Sequence, residues 1–143
     1  MKEKTIDYIL RTTWLAVQKM YNEEASKFDA TMATAFTLLS IDPKIGTSST
    51  SLGPKMGMES TSLSRILKAL EDRDLIKRTP NPEDGRGVII NLTKLGLIKR
   101  EDSRQRVFKF NNKIKTKVSS EKLKNFYYVS ETILELINDK KIF

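Results

Sequence analysis

Hydrophobic residues recur along most of this chain at steps of three and four, which predicts a mainly helical protein. The first amphipathic stretch covers residues 5–28 and the second covers residues 32–41. Asp42-Pro43 ends the second, because proline disfavours the helical conformation in the residue before it. A very short strand is predicted at 45–47 and a short or irregular helix at 48–56, with Pro54 inside it and Gly57 at its end.

The clearest helical pattern lies at 59–73, where apolar residues form one stripe and small hydroxyl residues occupy the other faces. The stripe consists of Leu63, Ile66, Leu67 and Leu70. Two β-branched runs follow, at 75–79 and 88–92, on either side of a tip at 80–87 that is rich in proline and glycine, which predicts a hairpin. Val88, Ile90 and Leu92 alternate along the second run, so they should share one face and pack on the helices.

Two more helices complete the pattern. Thr93 is a good N-cap for a long helix reaching Val118, and Ser119 or Ser120 begins a last one. The predicted fold class is mainly α with a small β-hairpin wing: a winged helix-turn-helix core between N-terminal and C-terminal helices. With 143 residues, the chain is expected to be a single domain over 1–143.

Composition narrows the functions that this fold can have. No apolar run approaches the length of a membrane span, and the first residues do not look like a secretory signal, so a cytoplasmic protein that does not enter the membrane is expected. The chain has no Cys and no His, which removes thiol chemistry, the commonest general base and the commonest metal ligand. No phosphate-binding glycine loop and no paired carboxylates stand out either. An enzyme, a metal site and a cofactor are therefore not expected.

The net charge of +8 favours a nucleic-acid partner, although the charge is unevenly placed. Residues 55–86 carry seven basic and six acidic residues, a net of +1, whereas residues 94–117 carry nine and two, a net of +7. The basic segment is either a solvated helix or a surface that attracts DNA phosphates.

The helix at 59–73 is predicted to read double-stranded DNA. Short hydroxyls can bond base edges or phosphates at close approach, and Arg65 can donate two hydrogen bonds to a guanine. The expected contacts on this helix are Ser60, Thr61, Ser62, Ser64, Arg65 and Lys68, and those of the wing are Asp84, Gly85 and Arg86. Ser51, Lys55 and Arg78 are candidate phosphate contacts. The plainer alternatives are that Ser60 and Thr61 only cap the helix and that the tip is an ordinary turn.

These segments resemble the multiple-antibiotic-resistance regulator (MarR) family. The resemblance lies in the stretch 63–67, in the wing segment 81–88 with its Asp-x-Arg at Asp84 and Arg86, and in the Leu-Thr-x-x-Gly that ends at Gly96. It extends over the whole chain in length and helix order. Two residues depart from the family pattern: Glu59 replaces the usual capping Ser or Asp, and Pro54 lies inside the preceding helix.

The resemblance implies a homodimer in which helices at about 1–28 and 94–143 interlock around DNA-binding lobes at about 30–95. Each recognition helix would enter a major groove and direct Ser62, Ser64 and Arg65 to the bases. Each wing would enter a flanking minor groove through Arg86, positioned by Asp84.

Family members often bind a small anionic or phenolic effector between the dimer helices and the lobe. Trp14 and Phe36 are the candidate pocket residues here, with plain core packing as the alternative. The function hypothesis is a repressor that binds a near-palindromic operator. The alternatives are a nonspecific or architectural DNA-binding protein and a winged helix used only for protein contacts.

Overall fold

The computed structural model describes residues 3–143, apart from the side chains of Asp84 and Arg86. Within these residues the order of elements is the predicted one. The helices are α1 (Ile6–Ser26), α2 (Met32–Ser40), α3 (Ser49–Met56), α4 (Ser60–Asp72), α5 (Lys94–Lys117) and α6 (Ser120–Asn138). The strands are β1 (Thr47–Ser48), β2 (Ile76–Asn81) and β3 (Asp84–Leu92). The fold class predicted from the sequence is confirmed.

Two local predictions differ from the structure. The short strand begins at Thr47, two residues later than expected. The strands of the wing extend to a two-residue turn at Pro82 and Glu83, so the tip is much shorter than the predicted 80–87. Helix α3 is short, as expected, with eight residues, and it is continuous although Pro54 lies inside it. Proline removes one amide donor, but the same helix buries Leu52 completely, and that burial stabilises the helix by about 1.5–3 kcal/mol.

The core of the first part of the chain joins α2, α3, α4 and the sheet. The antiparallel strands have the order β1-β3-β2. Ile90 of β3 is fully buried, and Val88 and Leu92 pack against the core from the same face, which confirms the alternation read from the sequence. From α4 the core takes Leu63, Leu67 and Leu70, with Ile66 partly buried beside them. This packing fixes α4 against the wing hairpin.

Glycine is required at the turn between α3 and α4. Gly57 has φ 64°, a left-handed conformation that is cheap only without a Cβ atom. Its amide donates to the Pro54 carbonyl oxygen, and the Met58 amide donates to that of Gly53. These bonds end α3 and direct the chain into α4.

The start of α5 is attached to the loop after α4. The Thr93 amide donates to the Leu75 carbonyl oxygen at 3.1 Å, and the Thr93 hydroxyl donates to that of Asp74 at 2.6 Å. The same hydroxyl accepts from the Gly96 amide, which makes Thr93 the predicted cap of α5. Gly96 itself lies so close to Leu75 that a Cβ atom would overlap the Leu75 carbonyl oxygen.

Contacts divide the chain into two compact units, one up to Arg104 and one from Gln105 to Phe143. The second unit contains the end of α5 and all of α6. Helix α6 begins at a Ser119 cap, as predicted, and has no buried residue in the single chain. Among the residues that the structure describes, no helix is long and apolar enough to cross a membrane.

Candidate nucleic-acid interface

Helix α4 presents a polar face opposite its buried stripe. The six residues predicted to contact DNA are all exposed: Ser60, Thr61, Ser62, Ser64, Arg65 and Lys68. The stripe of leucines holds the helix against the core, so the small hydroxyls and the arginine are presented on a rigid support. A face of this size and chemistry fits a major groove, which admits one α-helix.

The cations around α4 differ in whether they are paired. Lys68 pairs with Asp72 at 3.3 Å, and Arg78 of β2 pairs with Glu71 at 3.1 Å. Arg65 forms no hydrogen bond or ion pair with the described residues. Because both ion pairs are exposed, each stabilises the fold by only about 0–1 kcal/mol. Arg65 is thus the cation of α4 that is free to donate to a ligand.

Two of the three candidate phosphate contacts lie on α3. Ser51 donates to the Ser48 carbonyl oxygen at 3.0 Å, and its hydroxyl accepts from that of Ser48 at 2.8 Å. Lys55 donates from Nζ to the Ser40 carbonyl oxygen at 2.9 Å, where it stabilises the end of α2. Both residues remain exposed. Lys55 therefore has an internal role that the sequence pattern did not indicate.

The wing is a tight hairpin. The Glu83 amide donates to Asn81 Oδ1 at 3.0 Å, which closes the turn, and Gly85 is exposed just beyond it. Nearer the base, the Asn91 side chain donates to Thr79 across the two strands at 2.9 Å. The backbone of Asp84 and Arg86 belongs to β3. The predicted pairing of their side chains lies outside the described residues.

A compact loop precedes β1. From the sequence, Asp42-Pro43 was recognised only as the end of a helix, and the loop itself was not predicted. Asp42 accepts hydrogen bonds from the amides of Lys44 and Ile45, at 2.8 and 3.0 Å. These two bonds lower the pKa of the Asp42 carboxyl group. The Asp42 amide in turn donates to the Thr47 hydroxyl. The loop thereby fixes the strand that pairs with β3, and the Asp-Pro-x-x-Gly pattern was the signal for it.

The two candidate pocket residues have different surroundings. Phe36 packs edge-to-face against Tyr21, with ring centroids 5.5 Å apart, and burial raises the pKa of Tyr21. Trp14 on α1 is 52% exposed in the single chain. Phe36 and Tyr21 are both half-buried, and the effector pocket stays a prediction.

Taken together, the geometry defines a winged helix-turn-helix protein with an exposed recognition helix beside a hairpin wing. Residues 30–88 match the family model of the MarR family. The structure superposes on S. aureus MepR in a DNA complex with a TM-score of 0.84 and 21% identity, covering 93% of this chain and 98% of that one. A mutant of MarR from E. coli, complexed with operator DNA, gives 0.79 and 23%, covering 90% and 93%.

The PcaV transcriptional regulator from Streptomyces coelicolor, in complex with its natural ligand, gives a TM-score of 0.78 and 17% identity, covering 94% of this chain and 98% of that one. A comparison with curated protein sequences found no match. The family model thus matches the winged helix-turn-helix segment of the chain, and the solved structures show that the chain has the fold of these regulators.

Proposed function

We propose that this protein is a homodimeric repressor that binds a near-palindromic operator by sequence and is released by a small anionic or phenolic effector. The observation that carries the proposal is the exposed hydroxyl and arginine face of α4, held rigidly beside the wing by a shared core. This arrangement supports base-reading groups and a second DNA-contacting element on a single lobe.

Base reading is assigned to the first turns of α4. In helix-turn-helix proteins, the N-terminal residues of the recognition helix contact the base edges. Ser62, Ser64 and Arg65 are exposed there, and Arg65 is not held by a partner among the described residues. A bidentate contact of Arg65 with a guanine would contribute about 1–3 kcal/mol of discrimination. Replacing Arg65 with Ala should therefore change base preference as well as affinity.

A second copy of the chain is the proposed partner for the exposed apolar side chains of α1 and α6. Helix α6 exposes large side chains in the single chain, among them Phe126 at 58% and Leu134 at 59%, and α1 exposes Ile6 at 64%. Apolar helical faces of this extent mark interaction sites rather than solvated surface. Dimerisation through the terminal helices would cover these side chains and set two recognition helices at a fixed spacing.

Release by an effector is the third part of the proposal. The support is that PcaV, which has this fold, was crystallised with its natural ligand. The basic residues of α5 would favour an anionic compound. Trp14 and Phe36 are the aromatic residues proposed to line the site.

Selection of bound sequences from a random DNA pool, followed by footprinting, tests the proposal. We expect two related half-sites whose centres lie about 10 base pairs apart. Leu134→Glu places a charge on the exposed face of α6 and should yield a monomer with much weaker operator binding. Enrichment of no motif, with a steep salt dependence, would instead identify a nonspecific DNA-coating protein. Protection of one unpaired half-site would refute the dimeric mode.

A further inference from the structure

Glu59, immediately before α4, carries a carboxylate with no partner among the described residues. Its backbone is extended, with φ −72° and ψ 152°, and its carbonyl oxygen accepts the first helical hydrogen bond from the Leu63 amide at 3.1 Å. Glu59 is therefore the N-cap residue of α4. Its side chain, however, makes no capping hydrogen bond and is exposed.

Three other helix starts are capped by their side chains, whereas Thr5 before α1 and Ser48 before α3 make no capping hydrogen bond either. Thr31 accepts from the Thr34 amide, Thr93 from the Gly96 amide and Ser119 from the Lys122 amide. A glutamate is a poor substitute for the Ser, Thr, Asp and Asn residues that stabilise this position. The Glu59 carboxylate therefore stabilises α4 only through the helix dipole, a weak interaction at an exposed site, and not through a capping hydrogen bond.

The other acidic side chains of α4 are neutralised. Glu71 pairs with Arg78 and Asp72 pairs with Lys68, whereas Glu59 forms no ion pair with the described residues. A free carboxylate at this end of the helix would be repelled by DNA phosphates. The donors that a major groove offers to a carboxylate are the amino groups of the bases, and cytosine N4 is the usual one.

We propose that Glu59 is a specificity-determining residue, which accepts a hydrogen bond from the amino group of a cytosine in each half-site and disfavours other bases there. This inference rests on the proposed function, because it requires that the start of α4 enters a major groove. Glu59 would add a negatively charged base-contacting group to the hydroxyls and the arginine of α4. The carboxylate lowers the affinity for DNA of any sequence, because phosphates repel it. A hydrogen bond from a base amino group offsets this loss only at sequences that place a cytosine there.

The test compares selection from one random DNA pool by the full-length wild type, Glu59→Gln and Glu59→Ser. We expect the wild type to prefer cytosine at one position of each half-site. Glu59→Gln should shift that position towards adenine, because a glutamine amide can pair with adenine N6 and N7. Glu59→Ser should lose the preference there while keeping or raising the melting temperature, since serine is a better cap. Glu3→Gln removes the same charge outside α4 and serves as the control.

A binding assay then measures the contribution of the cytosine amino group alone. In the selected operator, the cytosine is replaced by a pyrimidin-2-one nucleotide, which lacks only the 4-amino group. Wild-type affinity should fall by about tenfold, and that of Glu59→Ser should be nearly unchanged.

The outcomes separate the two proposals. A wild-type protein that selects no motif would overturn the proposed function together with this inference. A clear wild-type motif that both Glu59 variants reproduce would overturn the inference alone. The inference alone also fails if the variants bind all sequences more tightly by one common factor, since the carboxylate would then act only by repelling phosphates.

Discussion

Substituting Gly96 with alanine should destabilise the protein although alanine is the better helix former. The first turn of α5 lies against the backbone at Leu75, and an added Cβ atom would overlap the Leu75 carbonyl oxygen. Real Cβ atoms essentially never come within 3.0 Å of such an atom. The turn must therefore move away, and the two hydrogen bonds of Thr93 to Asp74 and Leu75 are the contacts that this movement breaks.

The magnitude follows from those two bonds. Loss of the Thr93 hydroxyl bond costs about 1 kcal/mol, and a Leu75 carbonyl left without its donor costs about 1–3 kcal/mol. Alanine recovers about 1 kcal/mol through its higher helix propensity. The net decrease in the free energy of unfolding is thus about 1–3 kcal/mol.

Urea denaturation followed by circular dichroism measures this change. With a slope typical of small proteins, the midpoint should fall by about 1 M. Both proteins must be compared at the same chain concentration, because a dimer is stabilised by mass action. Gly85→Ala is the matched control: a Cβ atom there meets nothing within 4 Å, so its midpoint should not change. A Gly96→Ala protein as stable as the wild type would refute the close-approach argument.

Three further predictions concern charges. Glu71→Gln should free Arg78 and raise affinity for all DNA sequences by a few-fold. The slope of log affinity against log salt concentration should become steeper by about one unit, measured by fluorescence anisotropy at several salt concentrations. Arg86→Ala should weaken binding by about tenfold at operators with A/T-rich flanks and less at G/C-rich ones, and equal losses at both would contradict a minor-groove role. For Asp42 the lowered pKa means that the ionised carboxylate stabilises the fold above its ordinary value of 3.8 and loses this effect as the pH falls through the lower folded value. The stability difference between wild type and Asp42→Ala should therefore shrink in acid.

The helices and the wing could be predicted from the sequence because their signals are local. The stripe from Leu63 to Leu70 and the alternation around Ile90 each repeat at the period of one regular element, and the core buries those positions. Proline rules are also local: Pro54 led to the prediction of a short or irregular helix, and α3 is short, with eight residues.

Pairings between elements could not be predicted in the same way. Lys55 reaches the Ser40 carbonyl, and Arg73 donates to the Asp29 carbonyl at a separation of 44 residues. Such contacts depend on how helices are packed, which the spacing of charges along a chain does not encode. Glu59 is different, because its departure from the usual capping residue was visible in the sequence, and the structure added that its side chain makes no capping hydrogen bond.

Under the proposed function, the pairing of charges would let a lobe of nearly neutral net charge select among DNA sequences. Lys68 and Arg78 are held by acidic neighbours, so they add little attraction for phosphates in general, whereas Arg65 keeps its donors free of partners among the described residues. Specificity is the difference between the affinities for two DNA sequences. When the attraction common to all sequences is weaker, base contacts contribute a larger fraction of the binding free energy. Attraction for the phosphates of any DNA sequence would then come mainly from the segment 94–117, which has a net charge of +7. That attraction reaches only about 8–10 Å at ordinary salt concentrations. Removing lysines from this segment should consequently reduce affinity and salt dependence while the selected motif stays the same, so that affinity and specificity are separable in this chain.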